Sequence, residues 1–188
     1  MKKFTNIRPE EEKKFKKNNV LYNDEYIKVI KYEDWSVVTG KDCVICIPYL
    51  IELNQFIIRQ EYTPSFKYIE GQDLHLACVG GAIEIGETPE VALLREIQEE
   101  AGLVLRDNFQ FEFEKPLFLG KFSSMKCYPC ILPLSENDYH EIVIKGDGTL
   151  AEKLSQTAKI DVKYLKSLNP SDIVTQFMLQ KFKDYLNL

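Results

Sequence analysis

The stretch Gly80–Leu103, GGAIEIGETPEVALLREIQEEAGL, restricts the fold more than any other part of the chain. An apolar run, LHLACV, leads into two glycines, and a helix then has to open at Thr88, a good N-cap, with Pro89 at its first position. Gly102 supplies the stop. Inside REIQEEAG the carboxylates Glu96, Glu99 and Glu100 stand three and four residues apart, so Glu96 lies beside both later acids. Arg95 is the only cation of this helix, and Val91, Leu94 and Ala101 offer an apolar stripe for packing that leaves the acids off the core. Three crowded carboxylates repel one another; hard divalent cations such as Mg²⁺, which take oxygen ligands, relieve that repulsion. The two glycines let the backbone approach a phosphate or a metal closely, where a side chain would block it.

Around this block the pattern is mostly strand. VLYNDEYIKVIKYEDWSVV predicts two or three short strands, with turns at Asn23-Asp24 and near Glu33-Asp34. CVICIPYLI and QFIIRQEYT flank a turn at Glu52–Asn54 as a buried hairpin. Pro64–Gln72 is expected to be a loop, broken at Gly71. Beyond the helix, FQFEFE alternates, FLGKF and YPCILPL continue as strands, and the stretch from Leu150 to the end is expected to be helical with a break at Asn169-Pro170. Strands on both sides of one central helix, closed by a C-terminal helix, predict an α/β sandwich with a mixed sheet. Residues 1–39 would form a tail and a small antiparallel extension, and residues 40–188 the main domain.

The net charge of −5 and the pI near 5.2 argue against a broad phosphate-binding surface for nucleic acid and favour small-molecule chemistry. No stretch approaches the ~20 apolar residues of a membrane span, and the start, MKKFTNIRPEEEKKFKK, lacks the apolar centre of a secretory signal. A cytoplasmic protein is expected. Five cysteines, an odd number, suit free thiols in a reducing compartment. Cys43–Cys46 and Cys127–Cys130 have the spacing of metal ligands, but in a strand residues three apart point to opposite faces, so free buried thiols are the expected state.

Gly81, Glu87, Arg95-Glu96-Ile97, Glu99-Glu100 and Gly102-Leu103, at their spacing over 23 residues, resemble the signature of the Nudix hydrolases. The resemblance implies an α/β/α sandwich and a metal-dependent hydrolase, using Mg²⁺ or Mn²⁺, that cleaves the pyrophosphate of a nucleoside diphosphate linked to a group X. It implies metal ligation by Glu96, Glu99, Glu100, Glu87 and the backbone of Gly80, with Glu99 also a candidate base and Arg95 orienting the glutamates. Some members take a base from a later loop; Glu136 and Glu141 are the candidates here. The strand extension, Arg59-Gln60 and the tail PSDIVTQFM are similar to the ADP-ribose and nucleotide-sugar pyrophosphatase branch, which also implies a homodimer. Two departures stand out: Tyr62 where that branch carries Arg, and Ala77-Cys78-Val79-Gly80-Gly81 where it carries Glu-Leu-Pro-Ala-Gly. Candidate substrate contacts are Trp35, Arg59, Tyr62, Gly81 and Lys126, while His75 and His140 are expected to be incidental. A nucleotide sensor without turnover would lose a catalytic glutamate, and all are present; an RNA-cap hydrolase would need a basic path that the composition lacks. A dinucleotide-cofactor hydrolase is a further alternative.

Overall fold

The computed structural model describes residues 20–24, 27–32, 34–71, 74–107, 109–144 and 148–188. The chain divides into two compact units, residues 1–41 with 118–125, and residues 42–117 with 126–188.

In the first unit β1 (Val20–Asn23), β2 (Ile27–Tyr32) and β3 (Trp35–Gly40) form an antiparallel sheet. Within the same unit the segment around Phe122 pairs with β3, Val38 donating to the Phe122 carbonyl and accepting from the Ser124 amide at 2.7 and 3.0 Å. Trp35 packs on Phe122 with ring centroids 5.3 Å apart, and the Lys121 ammonium lies over the indole.

The second unit is built on a mixed sheet. Its hairpin, β4 (Cys43–Leu50) and β5 (Gln55–Tyr62), pairs only next to the turn, at Tyr49–Phe56 and Leu50–Gln55, and then splays. After α1 (Pro64–Glu70) the chain fills the gap: β6 (Leu74–Ala77) pairs with β5 and, past Cys78, β7 (Val79–Ala82) pairs with β4. The splay therefore brings Gly80 and Gly81 alongside Ile45 and Val44. β10 (Lys126–Leu134) lies parallel to β4 and β9 (Leu117–Phe118) follows it in the sheet, while β8 (Leu103–Leu105) and β11 (Tyr139–Glu141) form a separate ribbon. On one face Val44, Cys46, Ile57, Cys130 and Leu132 pack against α2 (Pro89–Glu96). On the other, Ile47, Phe56 and Ile58 pack against Met178, Leu179 and Phe182 of α4 (Ile173–Tyr185). The α/β/α arrangement expected from the sequence is present.

Several local expectations are overturned. Pro64–Glu70 is a helix rather than a loop: Thr63 is extended at its entry, Pro occupies the first turn, and Gly71 closes it in the left-handed region at φ 70°. FQFEFE makes a single bridge, Phe113 to Cys130, with the Glu114 amide donating to the Pro129 carbonyl. That side of β10 presents Pro129 and Pro133, which have no N–H, so the ladder cannot extend. FLGKF contributes only Phe118 to β9 and then turns. The last forty residues are not simply two helices. α3 (Leu150–Leu154) is followed by β12 (Gln156–Asp161), antiparallel to β5, and by a 3₁₀ turn over Val162–Ser167.

The helix itself sits differently from its expected stripe. Val91 and Leu94 are exposed, and the buried rows at four-residue spacing are Leu93–Ile97–Ala101 and Ala92–Glu96–Glu100. Two of the acids thus lie on the packed side.

Candidate active site

Gly81 has to be glycine because a β-carbon there would run into the Glu96 carboxylate. Glu96 can therefore tuck against β7 at 7% exposure, and Glu100, one turn on, is buried to the same degree. The Gly80 amide donates to Glu100 Oε2 at 2.8 Å, so the contact shown at this residue runs through its N–H. α2 starts as expected, the Thr88 side chain accepting from the Val91 amide. At its end the helix widens into a π-turn over Ile97–Ala101, closed by Gly102 at φ 65° with its amide bonded to the Ile97 carbonyl. That wide turn carries Glu99 and Glu100, and such insertions in helices concentrate at functional sites.

Arg95 gathers the acids. Its Nε and Nη2 form a fork on Glu87 at 3.0 and 3.1 Å, Nη1 reaches Glu96 at 2.6 Å and Glu99 at 3.2 Å, and Nη2 also donates to the Ala82 carbonyl at 2.9 Å. The Glu87 fork, followed by Glu96, holds the guanidinium well above its usual range. Glu96 shifts upward despite Arg95, because burial penalises its charge and Glu99 and Glu152 repel it.

The second cation, Arg59, is where sequence and structure part. Expected to touch substrate, it is instead buried, at 2% exposure, with an ion pair to Glu100 on one fork and to Glu152 at 2.8 Å on the other. Sequence reasoning missed Glu152: it belongs to α3, 93 residues from Arg59, and nothing local distinguishes it from an exposed helix acid. It also missed Glu61, although the alternation of β5 places 59 and 61 on one face. Burial raises the Glu61 carboxyl, while Arg59 and His75 oppose that shift. His75 lies opposite Glu61 in the ladder and stacks on Phe66 at 4.3 Å, so it is packed in the wall beside the cluster.

The structure does not gather every candidate. Glu136 sits in an exposed turn where its amide donates to Glu52, at the hairpin end of β4, and Gly81 pairs six residues back along that strand, ~20 Å away at a normal strand rise. It does not reach the acids on the helix. Glu141 lies in β11 opposite Leu103 and pairs with Lys159 at 2.5 Å. Tyr62 donates its amide to the Ser155 hydroxyl, and the Lys67 ammonium lies 5.7 Å from its ring centre. Lys126 opens β10, its amide bonded to Asp42. Trp35 belongs to the first unit.

Comparison with known proteins decides the family. Residues 53–145 match the model of the NUDIX domain. The chain carries a Nudix domain. Two curated relatives are 8-oxo-dGTP diphosphatases: that of Haemophilus influenzae, 41% identical over 73 residues, which are 34% of this chain and 54% of the relative, and that of Escherichia coli, 41% identical over 66 residues, 30% and 51%. The chain thus spans about half the length of the curated relatives it matches. Among solved structures, the Nudix chain resembles an ADP compounds hydrolase, with TM-score 0.67 at 17% identity, over 89% of this chain and 90% of that one. The likeness extends well beyond the matched domain and is one of fold.

Proposed function

We propose that this Nudix chain hydrolyses the pyrophosphate bond of a nucleoside diphosphate linked to X, with ADP-ribose or a nucleoside diphosphate sugar as X-bearing substrate, using Mg²⁺ or Mn²⁺. The observation that carries this reading is the charge imbalance at the helix: six carboxylates, Glu61, Glu87, Glu96, Glu99, Glu100 and Glu152, surround two guanidiniums. Among the described residues no three acidic, His or Cys side chains converge as a ready-made metal cage, and Arg95 and Arg59 engage these acids instead. The donor chemistry nevertheless fits a hard cation: all oxygen, partly desolvated, and carrying more negative charge than its two arginines neutralise. Glu96, Glu99, Glu100 and Glu87 would hold the ion. Bound there, it supplies neutralisation of the pyrophosphate charge and a more acidic water.

The protein's own groups do the rest. Arg95 keeps Glu87, Glu96 and Glu99 in one orientation, as second-layer partners of metal ligands do. Of the later carboxylates, Glu152 reaches the cluster where Glu136 does not, and we assign to it the proton-accepting role expected of a loop glutamate. Tyr62 and Lys126 remain proposed substrate contacts, as does Trp35. The fold likeness to an ADP compounds hydrolase over nearly the whole chain supports an ADP-linked substrate. Free cysteines support a cytoplasmic setting, and residues 1–39 are the proposed dimerisation element.

A second reading has its own observation: the 41% identity to 8-oxo-dGTP diphosphatases favours an oxidised nucleoside triphosphate as substrate. One panel separates them. ADP-ribose, nucleotide sugars, a dinucleotide cofactor, 8-oxo-dGTP and capped RNA are each incubated with Mg²⁺ or Mn²⁺, and nucleoside monophosphate release is scored. The highest kcat/KM on an ADP-linked compound supports the first reading, and on 8-oxo-dGTP the second. Cleavage of none overturns the enzyme assignment. Glu100→Gln should collapse turnover while leaving nucleotide binding measurable; a sensor would bind without turnover in both forms.

A further inference from the structure

The two Cys-x-x-Cys segments have no part in the acidic cluster, yet the tertiary structure pairs them. β4 and β10 run parallel in a register that sets Cys43 beside Cys127 and Cys46 beside Cys130. The pairs lie on opposite faces: Cys46 and Cys130 are fully buried in the core under α2, while Cys43 and Cys127 share the face that carries α4. We propose that Cys43 and Cys127 form a peroxide-responsive thiol pair that closes to a reversible disulfide between β4 and β10.

Three features support this. Adjacent strands lie about 4.7–4.9 Å apart, inside the roughly 4.4–6.8 Å Cα separation that a disulfide spans, and residues in direct register project their side chains the same way. The two thiols differ in access, Cys43 being half-buried at the start of its strand and Cys127 only 1% exposed. They also differ in chemistry: the Cys127 S–H donates to the Cys43 sulfur, which draws the Cys43 thiol below its ordinary value against burial and the charges of Asp42 and Asp172. The same bond, followed by burial, pushes Cys127 up. Cys43 is thus the thiol disposed to react first, and thiolate character with exposure governs susceptibility to oxidation.

The chemistry balances with hydrogen peroxide as oxidant. The Cys43 thiolate attacks one peroxide oxygen; the O–O bond breaks, an S–O bond forms, and hydroxide leaves to be protonated to water. The Cys127 sulfur then attacks the Cys43 sulfur; S–S forms, S–O breaks, and the departing hydroxide takes the Cys127 proton as a second water. Two thiols lose two electrons, and one peroxide becomes two waters. The Cys46–Cys130 pair, at 0% exposure on both sides, is an internal control in the same two strands. In the ladder Cys43 also faces Ala82, whose carbonyl anchors Arg95, so the bridge would form one strand away from the acidic site.

The test uses the folded full chain, its fold checked by circular dichroism, treated with a small excess of hydrogen peroxide and quenched with an alkylating agent. Thiol titration should show two of the five cysteines lost, the intact mass of a portion taken before alkylation should fall by about 2 Da as the two thiol hydrogens leave, and dithiothreitol should restore both. Tyr128 is followed by Pro129, so Cys127 and Cys130 stay on one chymotryptic peptide, and fragment ions of that bridged peptide, including the break before Pro129, should place the bridge between Cys127 and Cys43. With Cys127→Ser, Cys43 should accumulate a sulfenic acid trapped by dimedone; Cys43→Ser should lose no thiol; Cys46→Ser should behave as the parent. A bridge to Cys78, Cys46 or Cys130, over-oxidation of Cys43 without a bridge, or five intact thiols in the folded parent protein would overturn the proposal. The mapping on the unaltered chain decides it even where a variant fails to fold.

Discussion

Arg59 shows how much a single buried charge can control. With Glu100 on one fork and Glu152 on the other, it satisfies two partly desolvated carboxylates at once. Replacing it by Leu leaves both acids without a cation, and breaking a buried pair in this way costs about 3–5 kcal/mol; urea denaturation should show a loss of that order. Glu152→Gln keeps the hydrogen bond and removes one charge, so its cost should be far smaller, while turnover should still fall if Glu152 accepts the proton. Arg95→Lys should act differently: a single ammonium cannot reproduce the fork on Glu87 together with the bonds to Glu96, Glu99 and Ala82. Losses of such supporting partners run to roughly 10–100-fold in activity or metal affinity, measurable as a higher Mg²⁺ requirement in a hydrolysis assay.

Glu96 carries a prediction about pH. Its folded-state carboxyl is raised, chiefly by burial, so the folded protein holds a proton that the unfolded chain releases near the ordinary glutamate value. Stability contributed by that protonated group is present below the unfolded pKa and is lost as pH rises through the raised folded value. The melting temperature measured in chelator should therefore decline as pH rises above the ordinary carboxylate range, and Glu96→Gln should flatten that slope. Glu61, shifted the same way by burial, leaves a residual slope in the variant.

At the scale of elements, the helix and its caps were legible in the chain because their signals are local. Thr88, Pro89 and Gly102 act within one turn of themselves, and each does what its residue type dictates. Gly102 at φ 65°, with Ile142 and Ile144 against the place of a β-carbon, should not accept alanine: a destabilisation above about 1 kcal/mol is expected in a denaturant titration. α1 was equally legible in principle, since Pro64 and Gly71 bracket it as helix punctuation, yet a seven-residue segment with Tyr68 and Ile69 in solvent has little amphipathic pattern to announce it. The rotation of α2 was not legible. Val91 and Leu94 fit an apolar stripe as well as Leu93 and Ile97 do, and only the sheet beneath chose the second set. The same choice turned Glu96 and Glu100 inward, against the glycines.

At the scale of the whole molecule, β12 and the splayed hairpin matter most. β12 completes the sheet beside β5 and sends the Thr157 hydroxyl to the Glu100 carbonyl at 2.7 Å, so the C-terminal half of the chain braces the helix that bears the acids. Gln156–Asp161 has too little pattern to mark itself as a strand; its partner was already in place. The proposed dimerisation role of residues 1–39 predicts that a chain lacking them sediments as a monomer while the full chain sediments as a dimer. Equal sedimentation masses would remove that role.

By itself the sequence determined the helix, its caps, the identity of the acids and the two glycines, because spacing along a helix is a property of neighbours. From these the family and the class of chemistry were already readable. Only the tertiary structure decided which side of the helix faces the sheet, that Arg59 is an internal counter-ion, that Glu152 is the late carboxylate at the cluster, and that two cysteine pairs stand in register. Each of those joins residues far apart in the chain, and such contacts are set by strand register and packing, which no short window of sequence contains.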